Sequence, residues 1–375
     1  MLNSCRGLAD PPGQASGVDL ATGLYVRRSV DLVLMDTLPI VFQRTYRNRD
    51  SRSRPLGVGT NHSYGSFLVG DAPALTFVDL IRPDGGRIHY ERISGGTDHV
   101  GAVYEHRNTP SEYLHSRLSW NGGWTIAMKD GSVYTYPDCP PSLNKPCTVS
   151  GYRDPDGRQI KLIHDRQMNL VRIESDGGSS IDLMYDAGDR IILAYSSLGD
   201  DVRYRYDARG RLVAVNASNG WTATYAYDDR DQMIQIEEPG LSITNTFDDG
   251  GRCIVNDVRE THKGLDGVPV TRQYLFKFAY TLDRRGRITA TEVQRPTGLR
   301  RVTFNEQGYA LSDTHTSRRG REGGELYQRD GATNAVRWLT IRCGGKQGRS
   351  IEVSIDPDWV PAQIRRHVAD MCSGR

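Results

Sequence analysis

The amino-acid sequence predicts an all-β protein built of stacked antiparallel hairpins, and three observations carry that reading. Glycine (40) and tyrosine (19) far outnumber phenylalanine (7) and methionine (7) among the 375 residues, a composition of turns and amphipathic strands rather than of helices. Five segments align without gaps: HDRQMNLVRI from His164, YDAGDRIILA from Tyr185, YDARGRLVAV from Tyr206, YDDRDQMIQI from Tyr227 and FDDGGRCIVN from Phe247, at spacings of 21, 21, 21 and 20 residues. Each period also holds a second turn: DPDG at 154–157, SDGG at 175–178, SSLG at 196–199, ASNG at 217–220 and EPG at 238–240. Two turns per period leave room for two strands of about six residues, so the repeating unit is a β-hairpin.

From the N-terminus, residues 1–16 read as a flexible lead-in; MLNSCRGLADPPG lacks the charged start and apolar stretch of a secretory signal. Either the start lies upstream, or export takes another route, or there is none. RPDGGRIHYER from Arg82 and WTIAMKDGSVYTY from Trp124 read as further hairpins around Asp-Gly turns. The six cysteines, at 5, 139, 147, 253, 343 and 372, contain no CxxC pair, so no structural zinc site is expected. Cys139 and Cys147 bracket the loop CPPSLNKPC. They form either a disulfide, worth roughly 2.6 kcal/mol in the loop-entropy account, or two unpaired thiols beside a surface loop.

Within the repeats, Ile181, Leu183 and Tyr185 are expected on one face, as are Val202, Tyr204 and Tyr206, with Asp182, Arg203 and Arg205 on the other. On the return strand the apolar pairs Val171 and Ile173, Val213 and Val215, and Ile234 and Ile236 are assigned to the same buried face. The Asp after each aromatic (Asp186, Asp207, Asp228, Asp248) suits a turn because its carboxylate accepts bonds from nearby amides. Gly210 and Gly251 suit positive φ, and Asp189 and Asp231, in the same position, tolerate it. LDRRGRITA from Leu282 and FNEQGYAL from Phe304 continue the pattern loosely. The Tyr-Asp and Gly-Arg pairs thus have a structural explanation that needs no chemistry.

YDARGRLVAV and its period resemble the YD repeat of Rhs proteins and related bacterial and teneurin-type shells, over about residues 150–311. Upstream, GVDLATGLYV, DLVLMDTLPIVFQRTYRNRD and PLGVGTNHSY resemble the N-terminal module that precedes such repeats, through Thr22, Gly23, Pro39, Arg44, Tyr46, Leu56, Gly57, Gly59, His62 and Tyr64; Thr60 stands where a tryptophan is common. The resemblance implies a curved, spiralling sheet, part of a hollow cocoon that encloses a toxin. The expected organisation is a flexible N-terminus (1–16), an N-terminal module (17–90), connecting hairpins (91–149), YD repeats (150–311) and a variable C-terminal segment (312–375). In that segment, Ser312 to Gly324 reads as a polar linker or mobile loop, SIEVSI at 350–355 as a strand, and Asp356 to Met371 as a helix with Val360, Ile364, Val368 and Met371 on one face.

The expected function is a structural shell or scaffold of a bacterial competition, polymorphic-toxin or cell-surface system that encapsulates or presents another polypeptide. The alternatives are a carbohydrate-binding or adhesion module of the cell envelope, and a very small toxin within residues 325–375. The resemblance implies a secreted or cell-envelope location, with the cytoplasm left open. With 48 basic residues, only six of them lysine, against 46 acidic ones, the chain has no polybasic patch and no expected nucleic-acid partner. No apolar run reaches the ~18 residues of a membrane helix. Neither GxSxG nor HExxH occurs, GGKQGRS at 344–350 departs from the P-loop pattern, and His89, His99, His106 and His115 share no metal-ligand spacing. No catalytic, cofactor-binding or metal-ligating residue is therefore assigned; Cys343 or Cys372 with His367 is the one nucleophile pairing the sequence leaves.

Overall fold

A computed structural model of the chain describes residues 17–109, 111–142, 146–264, 267–343 and 349–355. Every regular element among them is a β-strand, and the 26 strands from Phe67–Gly70 to Arg349–Ser354 belong to one open antiparallel sheet. Three further strands, Val26–Leu34, Ile40–Arg47 and Thr60–His62, form a small sheet of their own. The residues fall into two compact units, one of Arg27–Arg107 with Glu112–Ala223, the other of the stretch ending at Val26, Asn108–Ser111 and the chain from Thr224.

In the first unit the expected hairpins around Asp-Gly turns form at Phe77–Ile81 with Arg87–Arg92 and at Trp124–Ala127 with Val133–Tyr136. Its repeats pair as Gln159–His164 with Leu170–Ser175, Ser180–Tyr185 with Ile191–Ser196 and Asp201–Tyr206 with Leu212–Ala217. Ile181, Leu183, Val202 and Tyr204 are buried while Arg203 and Arg205 are exposed, as alternation requires. Cys139 and Cys147 are joined by a disulfide, with their Cα atoms 6.0 Å apart.

The return strands correct the expected pattern. Leu170, Leu212 and Met233, six residues after the aromatic position, are buried, whereas Val171, Val213 and Ile234 are only half-buried. The cause is a β-bulge in each hairpin: Tyr206 pairs with Leu212 and Arg205 with Ala214, so Val213 faces no partner. The same step occurs at His164, Tyr185, Tyr227, Phe247, Leu282 and Phe304. One extra residue shifts the period-2 pattern by one position, moving the apolar contact from the seventh residue to the sixth while leaving the ninth (Ile173, Val215, Ile236) buried.

In the second unit the hairpin pattern runs on past residue 311. Ser312 to Gly324, expected as a linker, is instead the hairpin of Ala310–Ser317 and Glu322–Arg329, followed by Val336–Cys343 and Arg349–Ser354. The polar sequence misleads because many outward residues on these strands are polar, while Leu339 and Ile341 close a small core with Val336 and Ile355. Glu322–Arg329, Val336–Cys343 and Arg349–Ser354 thus belong to the sheet, and the strand expected at 350–355 is present as Arg349–Ser354. The helix expected from Asp356 to Met371 lies outside the described residues.

Candidate functional site

The turn that follows the aromatic position is, in most repeats, a clamp made by one aspartate. The Asp207 carboxylate accepts the N–H groups of Arg209 and Arg211, both at 3.0 Å, and the Arg211 Nε–H at 2.7 Å. Partial burial works to raise the Asp207 carboxyl, and the Arg211 bonds outweigh it, holding the group below the ordinary carboxylate range. Asp154, Asp186, Asp248 and Asp283 hold Arg158, Arg190, Arg252 and Arg287 in the same way. The left-handed residue of the loop is Gly210 in one turn and Asp189 or Asp231 in others, at φ of 78°, 55° and 62°. These arginines and aspartates are engaged within their own turns.

The bulge creates the second recurring contact, because it turns the main chain of the sixth residue out of the ladder. The Tyr185 hydroxyl donates to the Leu170 carbonyl at 2.8 Å, and Tyr206 donates to Ile191 in the same manner. Where Phe247 replaces tyrosine, Asn245 takes over: its Nδ2 donates to the Met233 carbonyl at 2.9 Å and its Oδ1 accepts from Asn256 at 2.7 Å. Where Leu282 occupies the aromatic position, the Tyr280 hydroxyl reaches the Cys253 carbonyl. The buried carbonyl must find a donor, and neighbouring repeats supply one by different side chains.

The N–H of the same sixth residue is taken by the N-terminal segment. In the first unit Ile191 N–H donates to the Pro55 carbonyl at 2.7 Å, and Val58 N–H donates to the Gly210 carbonyl at 3.0 Å. In the second unit Cys253 N–H donates to the Gly23 carbonyl at 2.8 Å. A Cβ at Gly57 would stand 2.6 Å from the Gly210 oxygen, and one at Gly23 would stand 2.6 Å from the Arg252 side chain. Both glycines therefore have a physical task, the close seating of the N-terminal segment on repeat turns.

Sequence reasoning marked Arg44 and Tyr204 but missed the residue that joins them. Asp31 accepts from Arg44 Nε at 2.7 Å and from the Tyr204 hydroxyl at 2.7 Å, and the Asp31 and Arg44 side chains are buried. Burial, followed by the Asp31 charge, pushes the Tyr204 hydroxyl well above its ordinary pKa. The available signal was an acid interrupting the apolar run SVDLVLM. Nearby, Asp36 accepts the Ser179 N–H at 2.9 Å, and Ser175 donates to the Leu38 carbonyl at 3.0 Å. On the buried face of this unit Tyr204 thus meets the chain's own N-terminal strand at Asp31. Tyr204 and Tyr225 are buried, whereas Tyr195 and Trp338 are exposed.

His62 is buried against Phe42, ring centroids 5.6 Å apart. Burial and the nearby His164 push its imidazole down to about 3. Among the other histidines, His89 Nδ1 lies 2.6 Å from Asp79 Oδ1, His106 Nδ1 lies 2.7 Å from the His89 carbonyl, the His115 N–H donates to the His106 carbonyl at 2.9 Å while its Nδ1 lies 3.3 Å from Glu105, and His99 packs edge-on against Trp120. Among the described residues no three His, Cys, Asp or Glu side chains are grouped to hold a metal ion, and no helix is long and apolar enough to cross a membrane. Cys253 is a buried free thiol pushed up to about 12 by burial. His367 and Cys372 lie outside the described residues, so the pairing with Cys343 has no described geometry.

The clamp-and-bulge hairpin at Tyr206 falls within residues 206–240, which match the RHS repeat family. The chain carries an Rhs-type YD repeat. Residues 15–90 match a domain of unknown function, DUF6531, and this stretch includes Gly23, Asp31, Arg44 and Gly57. The YD-repeat protein is similar to TcdB2-TccC3 solved without its hypervariable C-terminal region, at 13% identity and TM-score 0.35, over 79% of this chain and 19% of that one. It is similar to the Photorhabdus luminescens Tc holotoxin pore at 14% identity and TM-score 0.33, with the same coverage of 79% and 19%. The chain thus spans about a fifth of the length of these two structures. A porin-like protein from Bacteroides uniformis aligns at 10% identity and TM-score 0.26, over 67% of this chain and 94% of that one. No curated protein matches.

Proposed function

We propose that this YD-repeat protein is a rigid wall that contains or presents another polypeptide, and that it does so without chemistry of its own. The observation that carries this reading is the double use of the bulge residues Ile191 and Cys253, whose carbonyls are tied to the next repeat and whose N–H groups are tied to the N-terminal segment. Together with the aspartate clamps, these bonds spend the polar groups of the repeat on holding the wall. Such a wall acts by excluding protease and solvent from what it holds. The Cys139–Cys147 disulfide supports a working place outside the reducing cytoplasm.

The test is a fusion of an unfolded, protease-sensitive reporter after Arg375 of the full chain, treated with a low dose of thermolysin. The expected result is cleavage of the reporter about tenfold slower than when it is free, with the reporter otherwise unmodified, following the reduced access of an enclosed segment. Equal cleavage rates overturn the reading.

A further inference from the structure

Two strands of the second unit outgrow the repeat. Cys253–Lys263 and Pro269–Leu282 run 11 and 14 residues and pair along an arm from Val255↔Lys277 to Lys263↔Pro269. On its other side Pro269–Leu282 meets Ile288–Arg295 only between Lys277↔Gln294 and Leu282↔Ile288. Among the described residues, no strand pairs with 269–276 on that second side.

The direction of the main-chain groups along this edge follows from one bond. Gly264 N–H donates to the Val268 carbonyl at 2.8 Å, and bonded pairs alternate in an antiparallel ladder. His262↔Val270, Glu260↔Arg272 and Val258↔Tyr274 are therefore the bonded pairs, and Thr271, Gln273 and Leu275 turn their N–H and C=O groups to the unoccupied side. Thr261, opposite Thr271, shows the same alternation on the far strand, since its N–H donates outward to Gly240. Thr271, Gln273 and Leu275 are exposed. Pro269, at the start of the edge, adds no donor, as is usual for proline at sheet edges.

Where the arm leaves Ile288–Arg295, a cleft of about 440 Å³ opens, lined among others by Lys277, Phe278, Glu292, Arg295, Leu299 and Arg318. It holds three cations and one carboxylate, and that carboxylate already binds Arg301. Leu275 and Leu299 are 37% and 43% exposed and give apolar footing beside the charge. An unpaired edge of three outward residues that runs into a basic cleft fits one kind of occupant.

We propose that the Thr271–Leu275 edge and the Lys277, Arg295 and Arg318 cleft dock an extended, acidic segment of another polypeptide by β-strand addition. Main-chain bonds from the edge supply affinity, and the cations select carboxylates at one end of the segment. A second copy of this edge would bring another basic cleft in place of carboxylates. The inference stands on the arm alone and does not rest on the containment reading.

The test uses the full chain and a fluorescein-labelled peptide of about ten residues alternating glutamate and valine, with a lysine–valine peptide as control, read by fluorescence anisotropy. Saturable binding of the acidic peptide only, weakened by added salt, is expected. Leu275→Pro removes an outward N–H and leaves the bonded pairs of the arm in place, and it should weaken binding about tenfold or more. Lys277→Glu combined with Arg318→Glu should do the same without touching the edge, which keeps the test decisive if the proline variant misfolds by circular dichroism. Absence of acid-specific binding, or unchanged affinity in the folded variants, overturns the proposal. So does a concentration-dependent dimer lost in Leu275→Pro, which would assign the edge to a second copy. Reporter protection in the thermolysin assay is expected to be the same in Leu275→Pro as in the parent chain, so failure of one reading is distinguishable from failure of the other.

Discussion

If the bulge carbonyl requires a buried donor, the donor should be exchangeable between repeats. Asn245→Leu removes the bond to the Met233 carbonyl and leaves Asn256 Nδ2 without its acceptor. Asn245 and Asn256 are both buried, so each orphaned group costs about 1–3 kcal/mol. The added apolar burial of leucine returns about 1–2 kcal/mol, and the net loss is about 2 kcal/mol. Phe247→Tyr, introduced into the Asn245→Leu background, places a hydroxyl where Tyr206 has one and should recover about 1 kcal/mol. In the parent chain, where Asn245 already serves Met233, the same Phe247→Tyr change should gain nothing. The cycle therefore predicts a coupling energy of about 1 kcal/mol, measured by urea unfolding followed through tryptophan fluorescence, with Tm moving about 2–4 °C per kcal/mol for a unit of this size. An unchanged midpoint for Asn245→Leu, or an equal effect of Phe247→Tyr in both backgrounds, would refute the donor argument.

Gly57→Ala should destabilise the first unit by about 2–3 kcal/mol, since the residue has φ of 91° and the new methyl meets the Gly210 oxygen and the Tyr206 ring; limited proteolysis between residues 48 and 60 should show the N-terminal strands released first. The pH dependence has a defined sign. An unfolded His62 binds a proton near 6.5 and the folded one only near 3, so stability falls as pH drops below 6.5, by about 2 kcal/mol at pH 5. The groups packed about His62 are Arg44, opposite it in register and paired to Asp31, and His164; His62→Gln should flatten the Tm profile over that window, above the range where the clamp aspartates protonate. Reduction, or Cys139→Ser, should cost about 2–3 kcal/mol by the loop-entropy account, with thiol titration of the native oxidised chain failing to detect Cys139 or Cys147.

The hairpins, their turns and their buried face were legible in the sequence because these are local properties. A carboxylate four residues before an arginine, a glycine or aspartate able to adopt positive φ, and alternation over six residues all act within one turn or one strand. The Arg211 side-chain bond at Asp207 came from the structure, whereas the main-chain half of that clamp could be read from YDARGR alone. The bulge could not, because the sixth and seventh positions after the aromatic are both apolar, as in Leu212 and Val213, and only the register tells which of them is buried. The strands from Ser312 onward were hidden by composition, since polar side chains on an outward face look the same in a loop.

Tertiary structure alone decided what the N-terminal motif is for. Gly57 meets Gly210, Gly23 meets Arg252, and Asp31 joins Arg44 to Tyr204, contacts that cross 150 to 230 positions of the chain. No periodicity links such residues. They are brought together because the bulge frees a main-chain N–H in the repeat, and a buried N–H must be met by whichever carbonyl the fold carries to it.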